Sequence, residues 1–76
     1  MSDIWMKSGN SGPAHWIKLK GSFVLVTACN RTLSLEFAQR VRSERVGMAG
    51  APGQFYFRPV DGAVCLECEQ KAKAQA

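Results

Sequence analysis

Cysteine and histidine are scarce in this chain. Its 76 residues hold three cysteines and one histidine. An odd number of thiols cannot pair off within one chain, so a disulfide framework of the secreted kind fits poorly and a reducing compartment fits better. Long apolar runs are missing too, since nothing approaches the roughly 20 residues that cross a bilayer as a helix. The start, Met1-Ser2-Asp3-Ile4-Trp5-Met6, has no basic region followed by an apolar run and does not read as a signal peptide. The expectation is a soluble cytoplasmic protein with no membrane partner.

Catalytic sets are equally thin. There is no spare histidine and no Ser/His/Asp combination, and Asp3, Asp61, Glu36, Glu44, Glu67 and Glu69 form no evident pair. The glycine-rich stretch Gly47–Gly53 lacks the Lys-Ser/Thr ending of a phosphate-cradling loop. Neither an enzyme nor a small-molecule substrate is expected.

What is present describes one small globular domain. Hydrophobic residues make up 46% and charged residues 21%, a balance that excludes a disordered chain. A core this small often needs a metal or disulfide staple. The net charge of +4 permits a polyanionic partner without requiring one.

Residues 1–13 read as an N-terminal arm: an apolar knot, Ile4-Trp5-Met6, then the flexible Ser8-Gly9-Asn10-Ser11-Gly12-Pro13. Residues 14–76 form the domain. Ile17 to Lys20 alternates apolar and basic residues, Lys20-Gly21-Ser22 suits a turn, and Phe23 to Thr27 is rich in β-branched and aromatic residues. These predict a β-hairpin over 15–29. Asn30, which tolerates a left-handed backbone, allows a sharp turn after Cys29. Leu33–Val41 is expected to pair with Gln54–Arg58 as a second hairpin across the Gly47–Gly53 loop, and 38–46 reads as strand rather than helix. Cys68–Gln75, alanine-rich with glutamates early and lysines late, predicts a helix. The fold class is a small α+β, zinc-stapled domain of two β-hairpins and a C-terminal helix.

That class rests on Cys65-Leu66-Glu67-Cys68. A tight Cys-x-x-Cys places two sulfurs on one side of a turn, as a tetrahedral zinc ion requires. The first hairpin brings His15 and Cys29, at its two ends, to supply the other half. A thioredoxin-like redox pair needs a larger βαβ setting, and an iron–sulfur cluster usually takes four thiolates. Buried free thiols and another metal remain the alternatives. If His15 is only a surface histidine, Glu67 or Glu69 must take the fourth position. Four protein ligands would leave no open coordination site. Zn²⁺ with three thiolates carries one net negative charge, which Arg31 and Lys71 are placed to offset.

His15, Thr27-Ala28-Cys29 and Cys65-Leu66-Glu67-Cys68 ahead of a terminal helix resemble the very small His…Cys…CxxC zinc-binding proteins of actinobacteria and their bacteriophages. The likeness covers the ligand positions and the β-then-helix order, not the middle of the chain. Those proteins commonly have glycine after the first cysteine, where this chain has Asn30. The resemblance implies a zinc-finger-like module and supplies no function. A helix begun by CxxC is also similar to treble-clef and zinc-ribbon folds. With no second CxxC, treble-clef-like is the better description.

Two functions are expected. One is a protein-interaction or regulatory factor, such as a phage product directed at a host protein, using Phe55-Tyr56-Phe57 or the arginine run and the loop after it. The alternative is a nucleic-acid-binding or transcription-associated module. Its candidate contacts are Lys18, Lys20, Arg31, Arg40, Arg42, Arg45 and Arg58, with Trp16, Phe55, Tyr56 and Phe57 to stack on bases.

Overall fold

The computed structural model describes residues 4–9 and 12–75. Seven strands and one helix are found there: β1 Trp5–Ser8, β2 His15–Lys20, β3 Val24–Thr27, β4 Thr32–Ser34, β5 Ala38–Val41, β6 Ser43–Gly47, β7 Phe55–Pro59 and α1 Leu66–Gln75. All strand pairs are antiparallel. Five strands form one sheet in the order β4-β3-β2-β1-β5, and β6 and β7 form a separate ribbon.

The expected first hairpin is present as β2 and β3, and Gly21 closes its turn by donating to Val24 O at 2.8 Å. The expected second hairpin is corrected. Leu33 lies in β4, which pairs with β3, and Val41 lies in β5, which pairs with β1. Phe55–Pro59 pairs instead with Ser43–Gly47, from Ser43↔Pro59 to Gly47↔Phe55. The reason is a turn inside the supposed strand, where Phe37 N–H donates to Ser34 O at 3.1 Å. Residues 38–41 and 43–47 are strand, the reading favoured over a helix, but they are divided at Arg42 between two sheets.

The N-terminal arm is corrected as well. Trp5–Ser8 is an inner strand, paired with β2 on one side and β5 on the other. Trp5 is fully buried, and its Nε1 donates to Phe57 O at 3.1 Å. Burying an indole with its N–H satisfied outweighs the flexibility that the following glycines confer. Met1–Asp3, Asn10 and Ser11 of that arm lie outside the described residues.

Edge strands β4 and β5 are consecutive in sequence, joined by residues 35–37 alone. In a flat sheet of this order they would stand about 19 Å apart. Four Cα steps reach about 14 Å at most. The sheet therefore curls into a partly closed barrel.

Two cores result. Ile17, Leu25 and Leu33 fill the barrel interior, with Ile4, Met6, Leu35 and Ala38 packed on them. Trp5, Ala14, Ala28, Tyr56, Cys68 and Ala72 form the second core, where the outer sheet face meets the ribbon and the helix. The Cys/His cluster borders this second core.

Candidate metal centre

Three backbone links assemble the site. Ala14 N–H donates to Ala63 O at 2.9 Å and Cys65 N–H to Ala14 O at 2.9 Å, a parallel bridge between Ala14 and Val64. This bridge sets His15 beside Cys65. The β2–β3 pairing, with Ala28 N–H donating to Trp16 O at 2.8 Å, sets Cys29 beside His15. Glu69 N–H donates to Cys65 O at 2.9 Å as the helix begins, so Cys65 precedes the first turn and Cys68 lies within it. Cys65 and Cys68 thus sit at the N-terminal end of the helix, on either side of its first residues.

One donor atom from each of His15, Cys29, Cys65 and Cys68 lies within 4.8 Å of every other. His15 Nδ1 is 3.4 Å from Cys29 Sγ and 3.7 Å from Cys68 Sγ. A tetrahedron with metal–sulfur bonds of ~2.3 Å and metal–nitrogen bonds of ~2.0–2.1 Å has N···S edges of about 3.5 Å. The two measured edges bracket that value. The cluster can therefore hold a metal ion, with Nδ1 as the imidazole donor. Its residues are buried or half-buried, with His15 only 7% exposed and Cys68 fully enclosed.

Burial and neighbouring groups shift the donors in different directions. Burial lowers the His15 pKa and the nearby Arg31 charge lowers it further, so the ring favours its neutral, ligating form. Burial pushes the Cys29 thiol up, but the Thr27 hydroxyl, the Cys68 and Cys65 sulfurs and the Arg31 backbone outweigh it, leaving Cys29 more acidic than usual. Cys68 is pushed up to about 12, by burial first and then by its sulfur neighbours, against a smaller pull from the Trp16 and Cys29 backbone. Without an ion, the four groups share one enclosed space with a proton on Cys68. A metal would displace that proton.

Thr27 is the residue that sequence reasoning missed. Its side chain is fully buried, and its Oγ1 accepts from Arg31 N–H at 2.9 Å while lying 3.1 Å from Cys29 Sγ. Because the oxygen already accepts, its own proton is free to point at the sulfur. A threonine two residues before a candidate ligand was the available signal. The turn closes with Asn30 N–H donating to Thr27 O at 3.0 Å and with Asn30 at φ 65°, the left-handed conformation its sequence position suggested. Lys71 Nζ donates to Ala28 O at 2.8 Å, one residue before Cys29, and Arg31 is exposed beside the site. Glu67 and Glu69 stand apart from the ligand set, with Glu67 facing Lys71 and Glu69 paired with Arg58 and Lys73.

The other candidate contacts divide. Tyr56 is corrected: it is only 8% exposed, packed in the second core with Lys73 Nζ 5.5 Å from its ring, and presents no open face to a base. Phe55 is exposed but lies under Arg45, whose guanidinium is 3.8 Å from the ring centre. Arg58 is engaged with Glu69. Among the described residues, Lys18, Lys20, Arg31, Arg40, Arg42 and Arg45 are exposed and have no carboxylate within ion-pair distance. Among the described residues, no helix is long and apolar enough to cross a membrane.

Compared with protein-family models, curated proteins and solved structures, the chain matches none.

Proposed function

We propose that this chain is a zinc-stapled module that binds a protein partner, with the metal in a structural and not a catalytic role. The observation that carries the metal half is the convergence of four donors within 4.8 Å of one another. Three thiolates and an imidazole are soft and borderline donors in tetrahedral array, the set that suits Zn²⁺. Four protein ligands complete that shell and leave no position for substrate.

The partner half draws support from the exposed apolar side chains. Phe23 is 83% exposed and Phe37 61%, and Leu35 N–H bonds to Phe23 O between them. Large apolar groups left in water suit a protein interface. Nucleic-acid binding is the second reading, favoured by the unpaired exposed cations. Against it, Tyr56 is buried and Arg45 occupies one face of the Phe55 ring.

Two measurements test the proposal. Native mass spectrometry of protein made in zinc-supplemented medium should give one Zn²⁺ per chain; an apo mass or two ions overturns the metal half. A pull-down with and without nuclease tests the other half. A protein partner retained after nuclease supports it, and partners lost with nuclease transfer the case to nucleic acid.

A further inference from the structure

The barrel interior is not closed. At one end a cavity of about 310 Å³ opens between Ile4, Met6, Ile17, Leu25 and Leu35, and the same opening is bordered by Lys18, Lys20 and Arg40. Ile17 and Leu25 are buried core residues, so the floor of this opening is the barrel core itself. An apolar cavity of about 150 Å³ is enough to take a benzene ring. This one has room for an aromatic or a large aliphatic side chain.

The rim is of one sign. Lys18, Lys20 and Arg40 are exposed and, among the described residues, none has a carboxylate partner. Glu36 follows Leu35 but lines the adjoining depression beside Phe23 and Ser34, not this mouth. Three unopposed cations around an aliphatic floor complement a ligand that is apolar at its centre and anionic at its edges.

We propose that the barrel mouth is a docking site for an acidic peptide segment that inserts one large apolar side chain, its flanking carboxylates meeting Lys18, Lys20 and Arg40. This rests on the protein-binding reading above and names the site and the partner's chemistry. The lining decides against a nucleic acid strand. Bases bind non-specifically by stacking on aromatic rings, and every apolar residue lining this opening is aliphatic. An inserted side chain buries its apolar surface against the floor. The carboxylates steer encounter and fix orientation at the solvated rim.

The test uses the zinc-loaded full chain and fluorescein-labelled ten-residue peptides. The first is built of Asp and Glu with one central Phe, the second has Ala at that centre, and the third has Lys for every acid. Labelled oligo-dT is the fourth probe. The first peptide should bind at least about tenfold more tightly than the second and third, and its methyl NMR shifts should move at Ile4, Met6, Ile17, Leu25 and Leu35 while Leu66 on the helix stays still. The combined K18E, K20E and R40E variant should lose at least about tenfold in affinity for that peptide while keeping its zinc and its melting temperature, since all three side chains are exposed. Equal binding of the alanine peptide, tighter binding of oligo-dT, an unaffected triple variant, shifts centred elsewhere, or no binding would each overturn the proposal. If the peptides fail while the nuclease-treated pull-down still retains a protein, the docking site is wrong and the protein-binding reading stands.

Discussion

Lys71, on the helix, and Ala28, at the end of a strand, are joined by a 2.8 Å hydrogen bond from Nζ to the backbone carbonyl. The bond spans the cluster, tying the helix that carries Cys68 to the turn that carries Cys29. It also brings a cation to the edge of a set that would carry net negative charge with zinc bound. Replacing Lys71 by Met keeps most of the stem and removes the donor. The expected cost is about 1 kcal/mol of stability, read as a lower urea midpoint with unchanged slope, together with faster zinc loss to a chelator. An unchanged midpoint and exchange rate would mean the bond is incidental.

Zinc removal should unfold the domain. The barrel core has three buried side chains and the second core is small, so a bound metal's binding free energy would become folding free energy. Circular dichroism with excess chelator should show loss of strand and helix signal, restored by zinc. Thermal melting that does not change on chelation would show that the metal is not a staple.

Zinc binding should release protons. Without metal, Cys68 holds its proton up to about 12, so at pH 7.5 it must give that proton up to ligate. Calorimetry in two buffers of different ionisation enthalpy should report at least one proton released per ion. None released would remove Cys68 from the ligand set.

Acid should dislodge the metal, and His15 sets the direction. Its folded pKa lies below the ordinary 6.5. A depressed value contributes stability that is present above about 6.5 and is lost as pH falls through the folded value. Metal ligation by the neutral ring acts in the same direction. Zinc release, followed with a chromogenic chelator during acid titration, should be centred below pH 6.5. A midpoint above it would show that the thiolates, and not His15, set the release.

Trp5→Ala should be severe. The indole is fully enclosed and its N–H reaches Phe57 O in the ribbon. Truncating a buried tryptophan costs ~3–5 kcal/mol, close to the whole margin of a domain this size. Trp5→Phe keeps one aromatic ring but loses the volume of the second and leaves Phe57 O without its donor, for a loss smaller than that of Ala. Equilibrium urea unfolding of both variants checks the ordering; equal, small losses would contradict the packing described.

The cluster of three cysteines and one histidine was more legible in the sequence than the sheet around it. Alternation from Ile17 to Lys20 and the Lys20-Gly21-Ser22 turn marked the first hairpin because its contacts are local. The ends of that hairpin then placed His15 and Cys29 together. Pairing across long separations was not legible. A strand pattern carries no mark of which neighbour it takes, so β4 and β5 were assigned to β7, and β6, its actual partner, was given none. β1 was hidden for another reason. Four residues followed by glycine and serine look like a tail, and only tertiary pairing makes them a strand. Thr27 was likewise invisible as a ligand support until the turn placed its hydroxyl on the sulfur.

The alternation in β1 fixes more than the strand itself. Trp5 serves the metal-side core, while its neighbours Ile4 and Met6 serve the barrel. A slip of a single residue would exchange them. The indole would be pressed into an interior lined by aliphatic side chains, and a methionine would be left to fill its space beside the ribbon and helix. Each core thus vetoes the arrangement that would spoil the other, and the register of this strand against β2 and β5 is held from both faces.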